Sequence, residues 1–134
     1  MGLEAVDRFE AAFNQAKKEG KRVKAILLCS PNNPLGRPRW DYVFGDLTLV
    51  TGRCYSEDVL KAYMKLCQKL DLHLISDELY GISVWDNSEI KDPTPFTSVI
   101  AINTENLIDP RRVHAVWGLS KVKLFLSSRI ADIN

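Results

Sequence analysis

Apolar residues recur along the chain with two different periods. Leu3, Val6, Phe9, Phe13 and Ala16 follow one another at spacings of three and four, which predicts an amphipathic helix over 3–19. Lys17 and Lys18 fall in its last turn, where cations suit the helix dipole, and Gly20 follows as a C-cap. Residues 23–29 (VKAILLC) form a short, nearly continuous apolar run, the pattern of a strand buried on both faces. Residues 30–36 (SPNNPLG) are a turn-rich break. A second helix starts at Ser56 as N-cap, with Glu57 and Asp58 in its first turn. Its apolar stripe is Val59, Leu60, Tyr63, Met64, Cys67 and Leu70. Residues 72–76 (LHLIS) read as a second buried strand, 86–96 as a loop with Pro93 and Pro95, and 98–102 and 113–117 as two more strands. Strands and helices in this order, with breaks at the strand ends, predict an α/β fold with a mostly parallel sheet and flanking helices.

Composition narrows the function classes. A chain of 134 residues is the length of one domain, and 46% hydrophobic with 26% charged residues excludes wholesale disorder. Eighteen basic against 17 acidic residues leave a net charge of +1, without the basic excess that nucleic acid or an anionic membrane surface demands. No long uncharged apolar run predicts a membrane span, and the opening residues MGLEAVDR carry charges where an export signal needs an apolar stretch. Val6 stands where an N-myristoylation signal wants Ser or Thr. Cys29, Cys54 and Cys67 are odd in number and form no Cys-x-x-Cys, which speaks for a reducing compartment and a cytoplasmic location. Cys29 and Cys67 read as small buried apolar residues. His73 and His114 are too few for most histidine-based metal sites, and both read as core residues within apolar strands.

Parallel sheets bind ligands beyond the carboxyl ends of their strands. Three polar clusters fall at those ends: Asn32-Asn33-Pro34-Leu35-Gly36, Asp77-Glu78-Leu79-Tyr80 and Ser120-Lys121. Taken singly, Asn33 is an ordinary turn residue, Asp77 a cap, Tyr80 a half-buried aromatic and Lys121 a solvated cation. Taken together, Asn33, Asp77, Tyr80 and Lys121 could converge on one crevice. A lysine there can form a Schiff base with a carbonyl. A carboxylate beside a pyridine nitrogen keeps it protonated, which makes the ring an electron sink. A phenol and an amide near the ring hydroxyl would tune the imine. These residue types suit pyridoxal 5'-phosphate. A nucleotide-binding domain with Asp77 on a ribose is the rival, but neither Gly-x-Gly-x-x-Gly nor Gly-x-x-x-x-Gly-Lys-Ser/Thr is present to cradle phosphates.

Asn-Pro-Leu-Gly, Ser-Asp-Glu-Leu-Tyr-Gly and Trp-Gly-Leu-Ser-Lys, in this order, resemble the fold type I pyridoxal-phosphate enzymes. More narrowly they resemble the class I/II aminotransferases and their 1-aminocyclopropane-1-carboxylate synthase-like branch. The likeness runs from the first helix to Lys121. It implies that Asn33 and Tyr80 hydrogen-bond the cofactor's ring hydroxyl and that Asp77 pairs with the pyridinium nitrogen. Lys121 would carry the cofactor and move the substrate's α proton, and Arg129 would hold the phosphate. It also implies an amino-acid substrate, a homodimer, and either transamination or a ring-forming elimination.

The departures from the family are specific. Gly118 stands where many members have a phosphate-binding Ser, Lys121 is followed by Val-Lys-Leu-Phe-Leu-Ser-Ser rather than Asp, and Arg129 by Ile-Ala rather than by x-Gly. Residues 1–121 thus resemble part of the cofactor-binding large domain, and 122–134 are an atypical tail. Removing 37–52 leaves Asn-Pro-Leu-Gly-Arg-Cys-Tyr-Ser and restores the family spacing, so 37–52 read as an insertion or a retained intron. Family members are much longer than this chain. The alternative expectation is therefore a truncated, catalytically inactive fragment that exposes apolar surface.

Overall fold

The structure, a computed structural model, describes residues 3–32, 54–84 and 93–118. The element order is α1 (Glu4–Lys18), β1 (Ala25–Cys29), α2 (Glu57–Leu70), β2 (His73–Asp77) and β3 (Val113–Val116), with single 3₁₀ turns at Gly81–Ser83, Val99–Ala101 and Pro110–Arg112. The three strands form one parallel sheet in the order β1-β2-β3, so β2 is central. The fold class is α/β, and all five of these helices and strands lie within two residues of their expected bounds.

The helix ends follow local chemistry. α1 closes with backbone N–H groups of Glu19 and Gly20 on the carbonyls of Gln15 and Lys17, and Gly20 takes the left-handed φ of +73° that favours glycine. α2 starts after Ser56, whose backbone is extended, and ends at Asp71 in the left-handed region (φ 59°). There the Asp71 carboxylate meets the Arg112 guanidinium at 2.5 Å.

α2 supplies most of the core. Leu60, Tyr63, Met64 and Cys67 are fully buried and pack with Ile26, Leu28 and Leu74 from the sheet. α1 lies against α2, where Phe9 meets Tyr63 edge-on at 5.4 Å and Lys69 pairs with Glu10 at 2.6 Å. No residue of α1 is fully buried, so it is an outer layer.

Three expectations need correction. Residues 98–102 are not a strand but a 3₁₀ turn, Val99–Ala101, and its flanks. The reason is the spacing: Val99 and Ile102 are buried while Ile100 is 69% exposed. Inward positions three apart fit a 3₁₀ turn, whereas in a strand they would face opposite sides. Nor are the strands buried on both faces among the described residues. Ile26, Leu28, Leu74 and Ser76 turn toward α2, but Leu27 on the other face is 66% exposed. His73 and His114 sit on that open face too and are exposed rather than core residues, because their strand phase is that of Leu27 and Ile75.

Tyr63 gives this core a measurable signature. Its ring is wedged edge-on between Phe9 and Tyr55, and its buried hydroxyl has no hydrogen-bond partner among the described residues. Burial pushes its phenol up to about 12 from 10.0. Tyr63→Phe removes only the unpaired hydroxyl and is expected to leave stability unchanged or raise it by up to about 1 kcal/mol, whereas Tyr63→Ala loses about 3–5 kcal/mol, read by urea unfolding. A phenol held protonated by the fold favours the folded state below the unfolded phenol's value, and this contribution is lost as pH rises from 10.0 toward about 12. The alkaline loss of stability should therefore be shallower in Tyr63→Phe.

Candidate functional site

The register brings the three strand ends level. Cys29 pairs with Asp77, and Asp77 with Val116. The ladder continues one step further, with Ser30 N–H donating to the Asp77 carbonyl at 2.9 Å and Glu78 N–H to the Val116 carbonyl at 2.8 Å. The segments that follow β1 and β2 thus leave the same edge of the sheet side by side. The Ser30–Pro31 peptide bond is cis, and Ser30 Oγ accepts from the Tyr55 N–H at 3.3 Å.

Asp77 is half-buried and, by strand alternation, its side chain stands on the sheet face opposite α2. Its Oδ1 accepts from the Leu79 N–H at 3.2 Å, a short local turn typical of Asp at a strand end. Its Oδ2 lies 4.0 Å from the Cys29 thiol, which itself donates to the Pro31 carbonyl at 3.4 Å. Tyr80, also half-buried, stands three positions on, and the turn closes with Gly81 N–H on the Glu78 carbonyl at 2.9 Å. The structure thus brings Asp77 and Tyr80 into one turn at the end of the central strand. Asn33, Lys121 and Arg129 lie outside the described residues, as do 37–52 and 122–134; Asn33 directly follows the described Asn32 beyond β1.

The side chain next to Asp77 has the opposite fate, and sequence reasoning missed it. Glu78 is buried, only 5% exposed. Its carboxylate accepts from Ser98 Oγ at 2.5 Å and from the Val99 N–H at 2.9 Å, so it caps the 3₁₀ turn Val99–Ala101. The Phe96 ring lies so close to Gly81 that a Cβ there would fall 2.6 Å from the ring tip. The 96–99 segment therefore grips the 78–81 turn at both ends. The missed signal was phase: Leu74, Ser76 and Glu78 are two apart, and the first two face the core. Shallow, open hollows lie elsewhere, between α2 and residues 103–109, and carry none of this chemistry.

No family model matches the chain. Among curated proteins, 35% identity over 116 residues joins it to a human protein named "Probable inactive 1-aminocyclopropane-1-carboxylate synthase-like protein 2", covering 87% of this chain and 16% of that one. Identity is 41% over 100 residues to "Probable aminotransferase sirI" of Leptosphaeria maculans, covering 74% and 20%. It is 32% over 116 residues to "Probable aminotransferase ACS12" of Arabidopsis thaliana, covering 87% and 19%. The chain belongs to the pyridoxal-phosphate-dependent class I/II aminotransferase family, on its 1-aminocyclopropane-1-carboxylate synthase-like side. It spans about a fifth of the length of these relatives.

The described part of the site fits the cofactor of this family. A pyridinium N–H needs a carboxylate acceptor, and Asp77 offers one at the end of the central strand, with one oxygen tied to backbone and the other neighboured by a thiol. Tyr80, a phenol, follows three residues on in the same turn.

Two outcomes follow. Glu78→Ala leaves the Val99 N–H and Ser98 hydroxyl without their acceptor and is expected to cost about 2 kcal/mol, while Glu78→Gln, which keeps one carbonyl oxygen, costs less; urea unfolding separates them. Cys67 is fully buried and its thiol is pushed up to about 12, and Cys54 is raised in the same direction by burial. In the folded protein a thiol reagent should label Cys29 first, with Cys54 and Cys67 labelled only on unfolding, as mass mapping would show.

Proposed function

We propose that this chain is the part of an amino-acid-transforming enzyme that holds pyridoxal 5'-phosphate at the level ends of β1, β2 and β3. The observation that carries the reading is Asp77: a half-buried carboxylate at the end of the central strand of a parallel sheet, where such sheets bind ligands. Family membership supports it. When bound, the cofactor supplies an electron sink for breaking a bond at the substrate's α carbon. Asp77 would accept the ring nitrogen's N–H and keep that proton in place. Tyr80 and Asn33 would hydrogen-bond the ring hydroxyl and fix the ring's orientation. Lys121 would hold the cofactor covalently and move the proton at the substrate's α carbon. Arg129 would meet the phosphate as a bidentate donor. Transamination and ring-forming elimination both begin with that proton, so the class is set before the product is. The substrate is an amino acid, and the assembly a homodimer.

The second reading is a chain that binds cofactor weakly and turns nothing over. It is favoured by the exposed apolar residues of the open sheet face and strand ends, Leu27, Val116 and Trp117. Catalysis needs every group held in place at once, and the chain spans about a fifth of the length of its relatives. The human relative's name carries the word inactive.

One experiment tests both. The 134-residue chain is soaked with pyridoxal 5'-phosphate, treated with borohydride and mapped by mass. A cofactor mass on Lys121, absent from Lys121→Ala, supports binding. Asp77→Ala should weaken cofactor affinity about tenfold to a hundredfold, the size of a lost charge-assisted hydrogen bond. A folded chain that carries no label at Lys121 overturns the first reading. Turnover of amino acids by the labelled chain overturns the second.

A further inference from the structure

The open face of the sheet holds a pair of side chains that the cofactor chemistry does not use. His73 is the first residue of β2 and His114 the second of β3. Because Ile75 pairs with His114, the two histidines are diagonal neighbours on one face of adjacent parallel strands. Both are exposed. His73 Nδ1 and His114 Nε2 stand 2.9 Å apart, with ring centroids at 5.1 Å and planes inclined by 28°. The pair sits at the opposite end of β2 from Asp77, about 13 Å away along the strand at the usual rise.

We propose that His73 and His114 are a two-imidazole chelate for a divalent transition-metal ion of the nickel(II) or copper(II) class. Imidazole nitrogens bind such ions at about 2.0–2.1 Å, and two ligands at right angles then stand about 2.9 Å apart, whereas a tetrahedral ion spreads them to about 3.4 Å. The separation of the two ring nitrogens, 2.9 Å, is that of the right-angle geometry. Without metal the same two atoms share one N–H···N hydrogen bond. Binding asks that the donor ring carry its proton on the other nitrogen and that both rings turn until their lone pairs converge on the ion; no proton leaves the pair. The strand backbones fix the two attachment points: His73 N–H donates to the Lys24 carbonyl at 2.9 Å, and Ile75 and His114 are locked in register. Among the described residues no group of three or more His, Cys, Asp or Glu side chains converges, so water fills the remaining positions. The ion would staple β2 to β3 and stabilise the folded chain by binding it in preference to the unfolded one.

The test uses the untagged 134-residue chain, which has two histidines and hence two imidazole Hε1 signals in its NMR spectrum. Substoichiometric nickel(II) should broaden both signals together, and millimolar nickel(II) should raise the melting temperature by about 5 °C. The rise should vanish in His73→Asn and in His114→Asn, both tolerated because the side chains are exposed. Zinc(II) should give a smaller rise. Broadening of neither signal or of one alone overturns the proposal. So does a melting shift that persists in either variant. A zinc response larger than that of nickel overturns the right-angle geometry on which the choice of metal rests.

Discussion

The carboxylate of Glu78 is buried under the end of the central strand, and the shape of the strand-end turn follows from it. Removing a carboxylate from water is costly, and here the cost is offset by the Ser98 hydroxyl and the Val99 N–H, both aimed at it. Two segments twenty residues apart in the chain are thereby one unit. Phe96 against Gly81 closes the same unit from the other side. Asp77 is the residue before it and the last of the strand, so alternation sends its side chain to the opposite face. The inward acid fixes the backbone, and the outward acid is left to chemistry.

The level strand ends are a second constraint of the same kind. Parallel pairing sets Cys29, Asp77 and Val116 in one row, and two further backbone hydrogen bonds carry the row past the strands. Whatever the following segments contribute, they set out from a common edge. The Leu79 N–H on Asp77 then settles which carboxylate oxygen is spoken for. Position comes from the ladder and orientation from the turn, and neither depends on a long side chain finding its own place.

Periodicity made α1, α2 and the three strands legible, because each has the spacing of its own geometry and a break residue at its end. The 98–102 segment was not, because five residues of mixed apolar character fit a strand until the buried acid that caps them is known. His73 was misread for a related reason. Apolar neighbours on both sides suggest a two-sided core, yet among the described residues the helices cover only one face, and the strand phase puts both histidines on the other. Glu78 was legible in principle from its phase with Leu74 and Ser76, but an acid in a run of Asp-Glu reads as solvated. That Asp77 and Tyr80 share one strand-end turn was legible because a polar break follows the apolar run of β2.

A site assembled from strand ends divides its labour among segments far apart in sequence. On the proposed reading one strand end brings the acid and phenol, and the amide and the lysine follow the neighbouring strands in sequence. The row of Cys29, Asp77 and Val116 makes the common edge a property of the sheet, present before any ligand arrives. Moving a proton needs the lysine, the ring and the substrate fixed together to within a fraction of an ångström. On the proposed reading, binding therefore asks less of the chain than turnover does.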